Sequence, residues 1–308
     1  MPKFGPGIAI LSDAHANREA WNSAMASLSR APEQNIVEYW FLGDALDGGP
    51  EPAYIVGQLI AKKFKPIMGN HDVVDPKLAD FVSTAKDAQE FHKWSVSQLW
   101  PDQIQYLYEL PQYHRDAPAL AIHGLPTENL LSRRPTTKST GVDTRAALTT
   151  IQGFDGKLRI NPDYAEIAKL LERTGLPILF SGHTHTPRII ELTPEGEKTS
   201  GECKGLRADA IYREAMTDSG LYVGLNPGRV YIINAPPVVG KNEFFDKTGV
   251  MIYYPDASAI WIGAAKYDYN STADKLVNLH VPCNKDFDVK SVRQEAAKYV
   301  RALTGQQR

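Results

Sequence analysis

Five short polar clusters in this chain are built from aspartate, asparagine and histidine with glycine beside them. They read Asp13-Ala14-His15, Gly43-Asp44-Ala45-Leu46-Asp47-Gly48-Gly49, Gly69-Asn70-His71-Asp72, His123-Gly124 and Gly182-His183-Thr184-His185. Imidazole nitrogen with carboxylate and amide oxygen is a donor set for a divalent cation of intermediate hardness. On extended backbone, residues i and i+2 project to one side, so Asp13 with His15, and His183 with His185, can each present two ligands to one place. Neighbours diverge, so Asn70 can face a metal while His71 faces something else. Glycines 43, 69, 124 and 182 permit a close approach that a Cβ would obstruct. Asp13, His15, Asp44, Asn70, His123, His183 and His185 are too many ligands for one tetrahedral ion and suit two ions sharing a carboxylate. Two divalent cations outweigh two carboxylates and a bridging hydroxide by one positive charge, which attracts a phosphate oxyanion. Taken singly, Asp-x-His is more often a loop and Gly-Asp more often a turn. Their conjunction points to a site, because each cluster follows an expected strand.

Those strands and the helices between them have the alternating pattern of an α/β architecture, in which ligand sites lie beyond strand ends. Ile8 to Leu11 reads as a buried strand. Trp21, Ala24, Met25 and Leu28 then fall on one face of a helix between Asn17 and Arg30. A second strand ends at Leu42, Glu51 to Lys62 reads as a helix, and a third strand ends at Met68. Two helical stretches cover Lys86 to Leu110, and their aromatic run from Phe91 to Tyr108 reads as helix core, not as a base-stacking platform. Leu120 to Ile122 is a strand. A helix opens at Asn161-Pro162-Asp163 and ends at Gly175, before a strand at Pro177 to Phe180. After His185, short apolar runs at 189–190, 221–225, 231–234, 250–254 and 260–262 predict a second, largely antiparallel sheet. Residues 288–303 form an amphipathic helix.

About residues 132–160 and 193–219 the chain is polar and weakly periodic, which reads as two inserted surface loops. With no repeat, low-complexity tract or evident linker, one domain over 1–308 is expected. His92, His114 and His280 lie outside the clusters and receive no role. Arg188 and Arg229 read as solvated surface.

Composition narrows the partners. Among 308 residues, 34 Lys+Arg face 36 Asp+Glu, a net charge of −2, which disfavours a broad nucleic-acid surface. A hydrophobic fraction of 43% suffices for a large core and excludes general disorder. No apolar run approaches the roughly 18 residues of a membrane span, and Ile8 to Leu11 is too brief for a signal-peptide core. The cysteines, Cys203 and Cys283, are too far apart for a CxxC motif. A cytoplasmic protein is expected.

The clusters together resemble the signature of the calcineurin-like metallophosphoesterases, D-x-H, G-D-x-x-D-x-G, G-N-H-[DE], H and G-H-x-H, all of which the chain carries. The opening Ser12-Asp13-Ala14-His15-Ala16-Asn17, the run from Gly43 to Pro52 and the later Asn226-Pro227-Gly228 are similar to the prokaryotic phosphodiesterase-like branch. The resemblance covers about residues 7–265. It implies an α/β (α+β) fold, a four-layer sandwich of two mixed β-sheets flanked by helices, with a dinuclear metal site at one sheet edge. It implies one metal on Asp13, His15, Asp44 and His185 and another on Asp44, Asn70, His123 and His183. His71, oriented by Asp47, would assist the leaving group while a metal-bridging hydroxide attacks phosphorus. Two divalent transition-metal ions are expected, manganese first, with iron, zinc, cobalt or nickel as alternatives.

Departures from the family narrow the substrate. Its phosphoprotein phosphatases carry arginine where this chain has Gly48 and Met68, and Glu where it has Asp72. Without that clamp a phosphomonoester dianion is disfavoured, and the expected substrate is a small phosphodiester or nucleotide. The alternatives are a phosphomonoesterase or dinucleotide-polyphosphate hydrolase and, in another class, a non-catalytic binding or scaffold protein on the same fold.

Overall fold

The computed structural model describes residues 4–31, 35–75, 82–83, 85–116, 118–126, 128–131, 164–192, 205–206, 208–240, 245–282 and 287–304. Ile8 and Ile10 pack on one side of their strand while Ala9 and Leu11 pack on the other, and all are buried. A strand apolar on both faces belongs in a sheet covered on both sides. That strand is β1 (Gly7–Leu11). It pairs in parallel with β2 (Ile36–Phe41), which pairs in parallel with β3 (Lys65–Pro66). On its other side β1 meets β11 (Lys247–Tyr254) antiparallel, with Ile10 opposite Met251. The strands β12 (Ala259–Lys266) and β9 (Leu221–Gly224) complete this six-stranded sheet.

The second sheet runs in the order β4 (Tyr113–Asp116), β5 (Ala119–Ile122), β6 (Ile178–Ser181), β10 (Val230–Asn234), β7 (Arg188–Leu192) and β8 (Gly205–Leu206). Between the sheets lie Ile10, Trp40, Phe180, Tyr231, Ile233 and Met251. The outer face of the first sheet packs on α1 (Arg18–Ser27), α2 (Pro52–Ala61) and α3 (Lys86–Ser97), through Leu11, Trp21, Phe41, Ile55 and Phe91. A further helix, α4 (Pro101–Tyr108), and a short turn of helix, α5 (Glu128–Leu131), follow. The outer face of the second sheet packs on α6 (Tyr164–Thr174) through Ile122, Ile167, Leu171 and Leu179. Helix, sheet, sheet and helix give the four layers that the family resemblance implies.

Periodicity alone misplaced several elements. The late strands do not form a sheet of their own: β9, β11 and β12 join the first sheet, while β7, β8 and β10 join the second. An apolar strand buried on both faces carries no mark of which sheet it enters. Within 193–219, residues 205–206 are a strand and α7 (Ala208–Ala215) is a helix, not a loop. Ile211, Tyr212 and Ala215 are buried against the inter-sheet core; with Ala208 they stand at i, i+3, i+4 and i+7, a helical spacing overlooked within a polar stretch. The proposed insertion at 132–160 and the helix start at Asn161 lie outside the described residues. The aromatic run divides: Phe91 and Trp94 are in the core, whereas Trp100 and Tyr108 are 69% and 45% exposed.

Two helices close the chain over the first sheet. Asp268 caps α8 (Tyr269–Val277), its carboxylate accepting from the Ser271 N–H at 3.1 Å. The expected C-terminal helix is α9 (Val289–Thr304), which packs on α3 and α8 and buries Val292, Ala296 and Leu303. Among the described residues no helix is long and apolar enough to cross a membrane.

Candidate metal centre

The polar clusters lie in loops that leave β1, β2, β5 and β6 at one end of the two sheets, with Asn70–Asp72 forming a single turn of 3₁₀ helix after β3. Backbone bonds lace these loops together. Asp13 N–H donates to the Gly43 carbonyl at 2.9 Å, His15 N–H to Asp44 at 3.0 Å and Ala16 N–H to Ala45 at 2.8 Å. The Asp72 carboxylate accepts from the N–H groups of Asp44 (2.7 Å), Ala45 (2.7 Å) and Gly69 (2.9 Å), stapling the second loop to the third. Burial and neighbouring Asp44 push the Asp72 carboxyl up to about 6 against those donors.

The i, i+2 pairs converge, but not on extended backbone as their spacing suggested. Asp13, His15, Ala16, Asp44, Asp47, His183 and His185 all have φ between 43° and 66°, in the left-handed region. Among the described non-glycine residues, only Lys63 and Ser258 share that conformation. The strands stop short of the ligand residues, and a tight left-handed reversal, not strand alternation, turns both members of each pair inward.

All seven candidate ligands come together in two groups. In the first, ligand atoms of Asp13, His15, Asp44 and His185 lie within 4.8 Å of one another. The second brings Asp44, His123 and His183 together within the same limit. Asn70 Oδ1 stands 3.3 Å from His123 Nε2 and 3.0 Å from His183 Nδ1. One atom joins the groups: Asp44 Oδ2 is 3.6 Å from His15 Nε2 and 3.2 Å from His123 Nε2.

The ring nitrogens test whether cations fit. His15 Nδ1 is held by the Leu46 carbonyl (3.1 Å), His185 Nδ1 by that of Val239 (2.7 Å) and His123 Nδ1 by that of Leu42 (2.6 Å). A carbonyl can only accept, so each Nδ1 carries hydrogen and each neutral ring offers a lone pair at Nε2. Yet His15 Nε2 and His185 Nε2 are 2.8 Å apart, with Asp13 Oδ1 3.3 Å from the latter. Two facing lone pairs flanked by buried carboxylates require something positive between them, a shared proton or a cation. The carbonyls that fix the tautomers are the outer support that metal-binding histidines ordinarily have.

Comparison with known proteins decides the family. The calcineurin-like phosphoesterase family model matches residues 7–187, more than half of the chain. The chain belongs to the calcineurin-like phosphoesterases.

Two solved structures share the fold of this family member. A metallophosphoesterase from Sphaerobacter thermophilus superimposes with a TM-score of 0.62 at 23% identity, covering 97% of this chain and 98% of that one. A hypothetical protein from Pyrococcus horikoshii OT3 gives 0.56 at 14% identity, covering 94% and 97%. No curated protein sequence matches the chain.

In this phosphoesterase, His71 lies beside the first group, its ring centroid 5.0 Å from that of His15. Its Nδ1 is 2.8 Å from Asp47 Oδ2, and its backbone N–H donates to Asp44 Oδ1 at 2.9 Å. Sequence reasoning missed a third member of this arrangement. His92, on α3, is buried with Nδ1 2.8 Å from the same Asp47 oxygen and Nε2 2.9 Å from the Val73 carbonyl. Both of its nitrogens face acceptors, an arrangement that favours the imidazolium. Burial opposes that charge, but Asp47 and the Val73 carbonyl raise the pKa of His92 above the ordinary histidine value. On Asp47 burial works upward, and His92 with His71 overcomes it, holding the carboxyl far below its ordinary range. No motif announces His92. The available signal was a histidine on the buried stripe of an amphipathic helix. Arg229 stays at the surface, 3.8 Å from Glu191.

Proposed function

We propose that the chain is a metal-dependent phosphodiesterase for a small ester. One ion would be held by Asp13, His15, Asp44 and His185, and the other by Asp44, Asn70, His123 and His183. Bound there, two divalent ions, manganese foremost, would acidify a water toward pKa ~7 and neutralise charge on the phosphoryl oxygens. Asp47 orients His71 through Nδ1, which leaves Nε2 as the atom to pass a proton to the departing oxygen. His92 keeps Asp47 anionic and fixed from behind.

One observation carries the diester reading: the cavity beside His15 and His185 is lined by Gly48 and by no arginine or lysine among the described residues. Gly48 and Met68 occupy the positions where an arginine clamp would sit in the family's phosphoprotein phosphatases. A diester has one charge fewer than a monoester dianion and does without such a clamp. The test is a paired assay on an aryl phosphodiester and the corresponding monoester with Mn²⁺ added. A higher kcat/KM on the diester is expected, and a clear monoester preference sinks the proposal.

Two further outcomes are expected. Burial opposes a charge on His123, but Asp44 and Asp13 raise its pKa to about 9, so the metal-free protein holds a proton there at neutral pH. A ligand imidazole must be neutral, so Mn²⁺ binding should expel that proton and tighten about tenfold per pH unit up to about pH 9. Calorimetry in buffers of different ionisation enthalpy reads the proton directly, and binding without proton release would contradict it. Replacing His92 by glutamine keeps one donor but removes the charge behind Asp47. We expect kcat to fall about tenfold for an alkoxide leaving group and less for p-nitrophenolate, which needs little protonation. An equal loss on both would mean that His92 is only packing.

A further inference from the structure

Alongside the first ligand group the protein has a cavity of about 190 Å³. His15 and His185 face it, and Val239, Phe245, Tyr299, Ala302 and Leu303 supply its apolar walls. His71, Asn70, His123 and His183 do not line it, so it opens on one side of the site only. The apolar walls come from the segment after β10 and from α9, all beyond residue 187, where the family match ends. They lie outside the stretch that the family model matches.

The polar groups of Asn17, His15 and His185 around the cavity are committed elsewhere. Asn17 Oδ1 accepts from the Ala20 N–H at 2.9 Å and the Thr272 hydroxyl at 3.2 Å, and the Asn17 amide also bonds the Tyr267 hydroxyl. The Nδ1 atoms of His15 and His185 are taken by backbone carbonyls. Tyr299 packs its ring edge over Gly48, and burial beside Asp47 and Asp44 keeps its phenol neutral. A nucleobase placed here would bury several hydrogen-bonding edges with few partners beyond the Tyr299 hydroxyl, at a cost that selects against it. Size agrees, since an apolar cavity of ~150 Å³ holds benzene.

We propose that this cavity is a substrate subsite for an uncharged apolar group of the ester, a single aromatic ring, held by the chain's own C-terminal helix beside the ligand groups. The inference deepens the phosphodiesterase reading and rests on it for the position of the phosphate. The anchor is hydrophobic burial, so removing the ring removes the affinity while the anion stays the same.

The experiment compares phenylphosphonate with methylphosphonate by calorimetry on the full-length, Mn²⁺-loaded protein. Phenylphosphonate should bind about ten- to a hundred-fold more tightly. Ala302→Phe, at an exposed helix position where folding tolerates a larger residue, should fill the cavity and bring that ratio toward one. Phe245→Ala removes a wall and should lower the ratio independently. Equal affinities, no binding of either phosphonate, or a preference that survives both substitutions overturns the subsite. Turnover of phenyl p-nitrophenyl phosphate is measured in parallel. Discrimination between the phosphonates with no hydrolysis of this diester would leave the subsite standing and refute the phosphodiesterase reading.

Discussion

Asp44→Asn is expected to lower kcat on an aryl phosphodiester by at least about 10⁴-fold, more than His71→Ala. A general acid is worth roughly 10²- to 10⁴-fold, or about 3–5 kcal/mol. Phosphate-ester hydrolysis requires well over ~10 kcal/mol of barrier reduction, so most of it has to come from the ligand groups and what they hold. Asp44 serves both groups at once. Its Oδ2 lies between His15 and His123, and its Oδ1 accepts the His71 backbone N–H. The side chain is buried, and although burial pushes its carboxyl up, His123, His71 and His15 hold it well below the ordinary range. Asparagine keeps the shape, loses the charge and turns one acceptor into a donor aimed at an imidazole. Kinetics should be paired with metal analysis of the purified variants. An equal or larger loss in His71→Ala would argue that Asp44 is not the shared ligand.

Gly43→Ala should destabilise the protein by about 3 kcal/mol or more and weaken Mn²⁺ binding with it. Gly43 has a φ of +94°, and an added Cβ would stand 2.6 Å from the Gly69 nitrogen, 2.7 Å from its Cα and 2.9 Å from His123 Nδ1. Backbone cannot swing aside as a side-chain end can, so the second and third loops would have to part. They carry Asp44 and Asn70, so the strain falls on the contact between the two ligand groups. Gly175 is the internal control. It too has positive φ, +67°, but an added Cβ there meets nothing within 4 Å, so Gly175→Ala should cost only about 1 kcal/mol. Urea unfolding of the two variants makes the comparison, and equal losses would refute the packing account.

What could be read in the sequence divides along physical lines. Asp13, Asp44, Asn70, His123, His183 and His185 stand out because each follows an apolar run, and strand ends are where an α/β sheet presents polar groups. Most of the strands, β1, β5, β6, β10, β11 and β12 among them, are legible because both their faces are buried. That same property hides which sheet each late strand joins, since register and neighbour are decided by tertiary packing. His92 is illegible for a related reason. It reaches Asp47 across 45 residues of chain, and a buried histidine on a helix has no spacing that reveals its partner. Helix α7 was legible in the i, i+3, i+4, i+7 spacing of Ala208, Ile211, Tyr212 and Ala215, but the polar residues around it hid a stretch that fills the space between the sheets.

The left-handed loops carry a consequence for what the site can become. Aspartate, asparagine, histidine and glycine are the residues most at ease in that conformation, and the first three are also ligands for these metals. Backbone and coordination chemistry thus draw on one small alphabet here, and a substitution must satisfy both vocabularies together. Asp13→Glu keeps a carboxylate yet places a longer chain, less suited to positive φ, on a buried reversal. Such a change meets two vetoes where ordinary chemical similarity would count only one. Neighbouring positions on ordinary backbone, such as Asn70 and His123, face a single veto and are where a redesigned ligand set has room to begin.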